Sequence, residues 1–141
     1  METTATLDAP LFAKSAPPRG NETVLLVEDD EVVLRVTRMI LEDLGYRVLS
    51  AEDGTRAAAL SKGFEGDIDL VLSDVMLPDG DGVEWSERLS RERPKMKTLL
   101  MSAYKREALR REGIFMHGAF LLQKPFTSTA LALHIRQILD Q

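Results

Sequence analysis

Cysteine is absent from the 141-residue chain, which excludes disulfides, thiolate metal sites and cysteine nucleophiles and fits a reducing compartment. No apolar run approaches the roughly 18 residues that a membrane span needs. The N-terminus also lacks a basic-then-apolar signal pattern, so a cytoplasmic location without a membrane partner is expected. Positive charge is in deficit: the net charge of −5 argues against direct binding of nucleic acid or anionic lipid, both of which depend on basic patches. Partners are expected to be proteins. What remains, 44% hydrophobic and 29% charged residues, suits one soluble globular domain with a sizeable core.

Residues 1–21 mix Thr, Ala, Ser and Pro, end in Pro17-Pro18-Arg19-Gly20-Asn21 and show no sustained period. They read as a tail or linker; their apolar pair, Leu11 and Phe12, offers a docking point for a partner, although a stray exposed pair is the commoner case. The folded domain is expected over residues 22–141. There, apolar runs and amphipathic stretches alternate. Val24–Val27 reads as a first strand, after which Val32, Val33, Val36, Ile40 and Leu44 recur at helical spacing until Gly45. Tyr46–Ala51 reads as a second strand, Gly54–Lys62 as an Ala-rich helix and Ile68–Ser73 as a third strand. A helix from Asp81 carries Val83, Trp85 and Leu89 before Pro94, followed by a strand at Lys97–Met101. A charged helix at Lys105–Glu112, a strand at Ala119–Leu122 and a helix at Thr127–Leu139 complete the series, the last with Leu131, Ile135, Ile138 and Leu139 as its inner stripe. Five strand-helix units with short connections predict an α/β fold, a parallel sheet covered by helices on both faces.

The carboxyl ends of these strands carry the chemistry. Asp74 closes the apolar run from Ile68 and is followed by Val75-Met76-Leu77-Pro78-Asp79-Gly80-Asp81-Gly82, which puts its carboxylate at the edge where open α/β sheets hold their sites. The first strand ends in Glu28-Asp29-Asp30, the fourth in Ser102 and the fifth in Lys124-Pro125. Asp30 reads as a helix cap. Capping does not require two further acids, however. Carboxylates about 4 Å apart at an effective dielectric near 20 repel by roughly 4 kcal/mol, so clustered acids need protonation or a divalent cation. Mg²⁺ suits one or two carboxylates, a carbonyl and waters, leaving positions for phosphate oxygens. With it, an ionised Asp74 is a nucleophile toward phosphorus, Lys124 a second positive charge and the Ser102 hydroxyl a hydrogen-bond donor. Singly, a Ser after a strand is an ordinary turn residue and a Lys-Pro an ordinary strand stop. The ordered set is what carries the signal.

Over about residues 22–141 the chain resembles receiver domains of the two-component response-regulator family, most closely those of hybrid sensor histidine kinases. The resemblance rests on Leu26-Val27-Glu28-Asp29-Asp30-Glu31, on Ser73-Asp74 through Gly82, on Met101-Ser102-Ala103 and on Gln123-Lys124-Pro125-Phe126. It implies a flavodoxin-like three-layer sandwich with strand order 2-1-3-4-5. It further implies that Asp74 accepts phosphate and that Mg²⁺ (or Mn²⁺) is held by Glu28, Asp29, Asp74 and the Met76 backbone carbonyl. Ser102 and Lys124 would sense the phosphoryl group, and a cis Lys124–Pro125 bond is expected. The implied donor is a phosphohistidine on a sensor histidine kinase or histidine phosphotransfer protein. His117 and His134 read as ordinary surface or packing histidines, not as that donor.

The chain ends just after the fifth helix, so output is expected through contact with a downstream protein on the fourth helix, fifth strand and fifth helix, not through enzymatic activity. Many family members carry Tyr or Phe three residues before the fifth-strand Lys, where this chain has Leu121. Phe120 is one residue off, and a one-residue slip reverses the strand face. Two positions that gate water in the family are Met76 and Tyr104 here, which implies slow self-dephosphorylation. A scaffold that never turns over phosphate is disfavoured because no member of the acid, Ser and Lys set is missing. A phosphohydrolase is disfavoured because Met76 stands where those enzymes carry an acid.

Overall fold

The computed structural model describes residues 16–141; Leu11 and Phe12 lie outside the described residues. Among the described residues seven strands and five helices follow one another as β1 (Thr23–Val27), α1 (Glu31–Asp43), β2 (Arg47–Ala51), α2 (Gly54–Gly63), β3 (Leu70–Asp74), β4 (Met76–Leu77), β5 (Gly80–Asp81), α3 (Gly82–Glu92), β6 (Lys97–Ser102), α4 (Arg106–Arg111), β7 (Phe120–Gln123) and α5 (Ser128–Leu139). Five of the strands form one parallel sheet in the order β2-β1-β3-β6-β7, which is 2-1-3-4-5 once the small antiparallel β4–β5 hairpin is set aside. The fold is flavodoxin-like, as expected. The hairpin was not foreseen.

The sheet is central because its middle strands are apolar on both faces: all of Val24, Leu25, Leu26, Leu70, Val71 and Leu72 are fully buried. Alternate residues serve opposite cores. Val24 and Leu26 pack with Leu131, Ile135 and Ile138 of α5 and with Leu41 of α1, whereas Leu25 and Val71 pack with Ala57 of α2 and Leu89 of α3. A third cluster under α4 joins Val75, Val83, Leu100, Leu109 and Met116. Phe120 packs on the α1/α5 side and Leu121 on the α4 side, so the two neighbours do face opposite ways.

The inner face of α1 is set by Leu34, Thr37, Leu41 and Leu44. Of the expected series Val32, Val33, Val36, Ile40 and Leu44, Leu44 is buried and Ile40 packs against the core, whereas Val32 and Val36 are 62% and 50% exposed. Apolar residues occur around more than half of this helix, so spacing alone does not fix which arc is inside. The third strand begins at Leu70 instead of Ile68 because Ile68 and Asp69 serve the approach to the sheet, Ile68 packing under α2 and α3 and the Asp69 carboxylate accepting from the Thr23 N–H at 2.9 Å. Among the described residues the segment before β1 is held by Arg19, whose guanidinium donates to the Asp43 carbonyl (2.8 Å), and by Gly20, whose N–H donates to the Leu44 carbonyl (3.0 Å).

Candidate functional site

At the carboxyl end of β1 the main chain still follows the sheet, the Glu28 N–H donating to the Ala51 carbonyl at 3.1 Å, and the Glu28 side chain turns inward until it is 1% exposed. Its Oε2 accepts from the Asp30 N–H (3.0 Å) and its Oε1 meets the Lys124 ammonium (2.6 Å). Asp30 caps α1, its Oδ1 accepting from Val32 N (3.0 Å) and Val33 N (3.1 Å), as expected of it. Between them Asp29 is exposed at the rim.

Asp74 is the last residue of β3 and is 8% exposed. Oδ1 accepts from the Met76 N–H (2.9 Å), and Oδ2 accepts from the same Lys124 ammonium that reaches Glu28. Lys124 follows β7, its bond to Pro125 is cis, and its N–H donates to the Ser102 carbonyl at 2.8 Å. Ser102 ends β6 with its hydroxyl buried, accepting from the Tyr104 N–H at 2.9 Å. Glu28, Asp74 and Lys124 are thus joined by direct hydrogen bonds. Ser102 is tied to Lys124 through the backbone. Met76 and Tyr104 present bulky, half-exposed side chains at the same edge.

Burial raises the Glu28 pKa, and the negative charge of Asp74 raises it further, against the pull of Lys124. For Lys124, burial acts to lower the pKa, but the hydrogen bonds to Asp74 and Glu28 outweigh it and the ammonium is held protonated. Among the described residues no group of three or more His, Cys, Asp or Glu side chains is drawn together as a metal cage, and the Lys124 ammonium pairs with both Glu28 and Asp74. The donor set nonetheless fits a hard divalent cation in kind. Glu28, Asp29 and Asp74 outnumber the single ammonium, and all are oxygen donors.

Two contributors escaped the sequence reading. Gln123 donates its amide N–H groups to the Ser102 (3.2 Å) and Ala103 (2.8 Å) carbonyls, fastening the end of β6 to β7. An apolar groove of about 430 Å³ runs beside the acids, lined by Val32, Val36, Ile40, Pro125 and Phe126. Nothing local marks a strand-end Gln, but the surplus apolar arc of α1 was a usable signal for the groove. His117, exposed at the surface, lies 3.0 Å from the Glu87 carboxylate, and the ring of the half-buried His134 lies 2.8 Å from the Ala130 carbonyl.

The family model of the response regulator receiver domain matches residues 24–136. The chain belongs to the response regulator receiver family. The receiver is 31% identical over 140 residues to the sensor kinase CckA of Brucella abortus, covering 95% of this chain and 15% of that protein. It is 36% identical over 120 residues to the transcriptional regulatory protein ResD of Bacillus subtilis, covering 84% of this chain and 49% of that one. Its fold matches the crystal structure of the signal receiver domain of an HD domain-containing protein from Pseudomonas fluorescens with a TM-score of 0.74 at 30% identity, over 86% of this chain and 96% of that chain. The receiver therefore spans about half or less of the curated relatives it matches. It is a two-component signalling domain, and among the described residues no helix is long and apolar enough to cross a membrane.

Proposed function

We propose that Asp74 reversibly accepts a phosphoryl group from a phosphohistidine on a sensor histidine kinase or phosphotransfer protein. The observation that carries this reading is the Lys124 ammonium held between the buried Glu28 and Asp74 carboxylates. An Asp74 oxygen attacks phosphorus, the phosphorus–nitrogen bond breaks, and the imidazole departs with its electron pair and takes up a proton. Glu28, Asp29, Asp74 and the Met76 carbonyl would hold Mg²⁺, which when bound neutralises charge on the transferred group. Once Asp74 is an acyl phosphate, it no longer offers Lys124 a carboxylate. The ammonium is then free to pair with phosphoryl oxygens, and the Ser102 hydroxyl to donate to one.

The α1 groove supports a docking place for the donor protein, since its exposed Val32 and Val36 share the lining with Lys124 of the site. For output, phosphorylation biases a protein-contact surface on α4, β7 and α5, where Leu133 of α5 and, in the loops that flank α4, Tyr104 and Phe115 are more than half exposed. Leu121 in place of an aromatic side chain means that rearrangement there proceeds without a ring swinging inward. The test is Mg²⁺-dependent labelling by a small acyl phosphate and by a phosphorylated kinase. Labelling of the wild type and none in Asp74→Asn supports the reading, and equal labelling of both overturns it.

A further inference from the structure

The β4–β5 hairpin carries Met76, whose N–H holds Asp74 Oδ1, yet it is paired at only two positions, Met76 with Asp81 and Leu77 with Gly80. So short a ribbon is not stable by itself in water. Its inner end is fixed by the Gly82 N–H donating to the Val75 carbonyl at 2.7 Å. The outer end is fixed by a side chain that the site reading leaves without a role. Asp79 Oδ1 accepts from the Gly54 N–H (2.9 Å), and Oδ2 from both the Thr55 N–H (2.8 Å) and the Thr55 hydroxyl (2.7 Å).

These amides open α2, whose own cap, Asp53, already accepts from Arg56 N at 2.7 Å. Asp79 therefore takes the two donors that the local cap leaves, from an element 25 residues away in the case of Gly54. Its negative charge faces the positive end of the helix dipole, so these are charge-assisted bonds. Trp85 of α3 seals the junction. Its Nε1 donates to the Asp79 carbonyl at 3.2 Å, the Arg88 guanidinium stacks 4.1 Å from its ring centroid, and a side chain at Gly54 would meet the ring at 2.1 Å. The hairpin tip is thereby clamped between α2 and α3.

We propose that Asp79 is a positioning residue: by clamping the hairpin tip to the start of α2, it holds the Met76 main chain, and through it the Asp74 carboxylate, in the arrangement that binds the cation and receives phosphate. This rests on the reading of Asp74 as phosphoacceptor. Residues that orient a ligating group from behind typically control metal affinity by 10-fold or more. Asp79→Ala is expected to raise the apparent Mg²⁺ dissociation constant about 10-fold. Asp79→Asn, which keeps an acceptor for Gly54, is expected to give an intermediate loss, and Thr55→Val, which removes one of three bonds, the smallest.

The experiment uses the full chain and Mg²⁺ alone as probe, followed by calorimetry and by the emission of Trp85, the single tryptophan. Far-UV circular dichroism verifies that each variant is folded at the assay temperature. Wild-type emission is expected to respond to Mg²⁺ because Trp85 touches the hairpin tip, and Asp79→Ala to lose that response, a signature that mere destabilisation would not produce. If Asp79→Ala does not fold, Asp79→Asn and Thr55→Val carry the test. Unchanged affinity in folded variants, with a wild type that binds Mg²⁺ and labels at Asp74, overturns the clamp alone. A wild type that neither binds Mg²⁺ nor labels removes both the clamp and the reading beneath it.

Discussion

Replacing Lys124 by Met tests the electrostatic balance on which the pocket depends. The substitution keeps the length of the side chain and removes the one ammonium shared by two buried carboxylates, Glu28 at 1% and Asp74 at 12% side-chain exposure. Removing one partner of a buried ion pair costs about 3 to 5 kcal/mol, since the remaining charge is left uncompensated. Here Glu28 retains the Asp30 N–H and Asp74 the Met76 N–H, which places the expectation near the lower end, about 3 kcal/mol. For a domain of this size that is a fall in Tm of about 10 °C at neutral pH without Mg²⁺. Asp74→Asn in the same background removes one of the two stranded charges. The double variant should therefore be more stable than Lys124→Met, with a coupling energy of about 2 kcal/mol in the cycle. Thermal and urea denaturation of the four proteins measure this directly. A Tm for Lys124→Met within a few degrees of wild type, or additivity within about 0.5 kcal/mol, would refute the shared-ammonium argument.

Three further outcomes are expected. In Gly82→Ala the new methyl would lie 2.0 Å from the Asp74 carbonyl oxygen, and backbone cannot yield as a flexible side chain does; a loss of about 3 kcal/mol is expected by denaturant titration, with weakened labelling at Asp74. The Arg136 guanidinium hydrogen-bonds both oxygens of Glu22 at 2.7 and 2.8 Å and holds its pKa below the ordinary 4.5. A depressed carboxylate contributes stability above its ordinary pKa that is lost as pH falls through the folded value, so Glu22→Gln should flatten the drop in Tm below about pH 4.5. Met76→Asn and Tyr104→Glu should each change the lifetime of the phosphorylated form in a chase after donor removal, and decay unchanged from wild type in both would exclude water gating by these side chains.

The five sheet strands were legible because each announces itself in a short β-rich run with a turn at its end, and strands buried on both faces leave little choice of layer, whereas their order 2-1-3-4-5 was implied by the resemblance to the receiver family. The approach of Glu28, Asp74 and Lys124 was legible for the same reason: all three sit at the same edge of adjacent or near-adjacent strands. Phase was less so. In α1 the apolar residues cover too wide an arc, and only the docked helix tells Leu34 and Leu41 from Val32 and Val36. Contacts spanning long separations were invisible. Asp79 looks like a turn residue after Pro78, and nothing near it in the chain names Gly54 and Thr55 as its partners. The Gln123 amide and the Arg136–Glu22 pair are of the same kind, chosen by tertiary placement and not by pattern.

The most direct measurement is localisation of the phosphoryl group itself: the wild-type chain incubated with Mg²⁺ and an acyl phosphate, reduced with borohydride to trap any acyl phosphate, digested and mapped by mass spectrometry. The account predicts a single reduced residue at Asp74, dependent on Mg²⁺ and absent when the donor is omitted. Modification at Asp29, Asp30 or Asp81 with Asp74 untouched would contradict it, as would uptake that proceeds equally without a divalent cation.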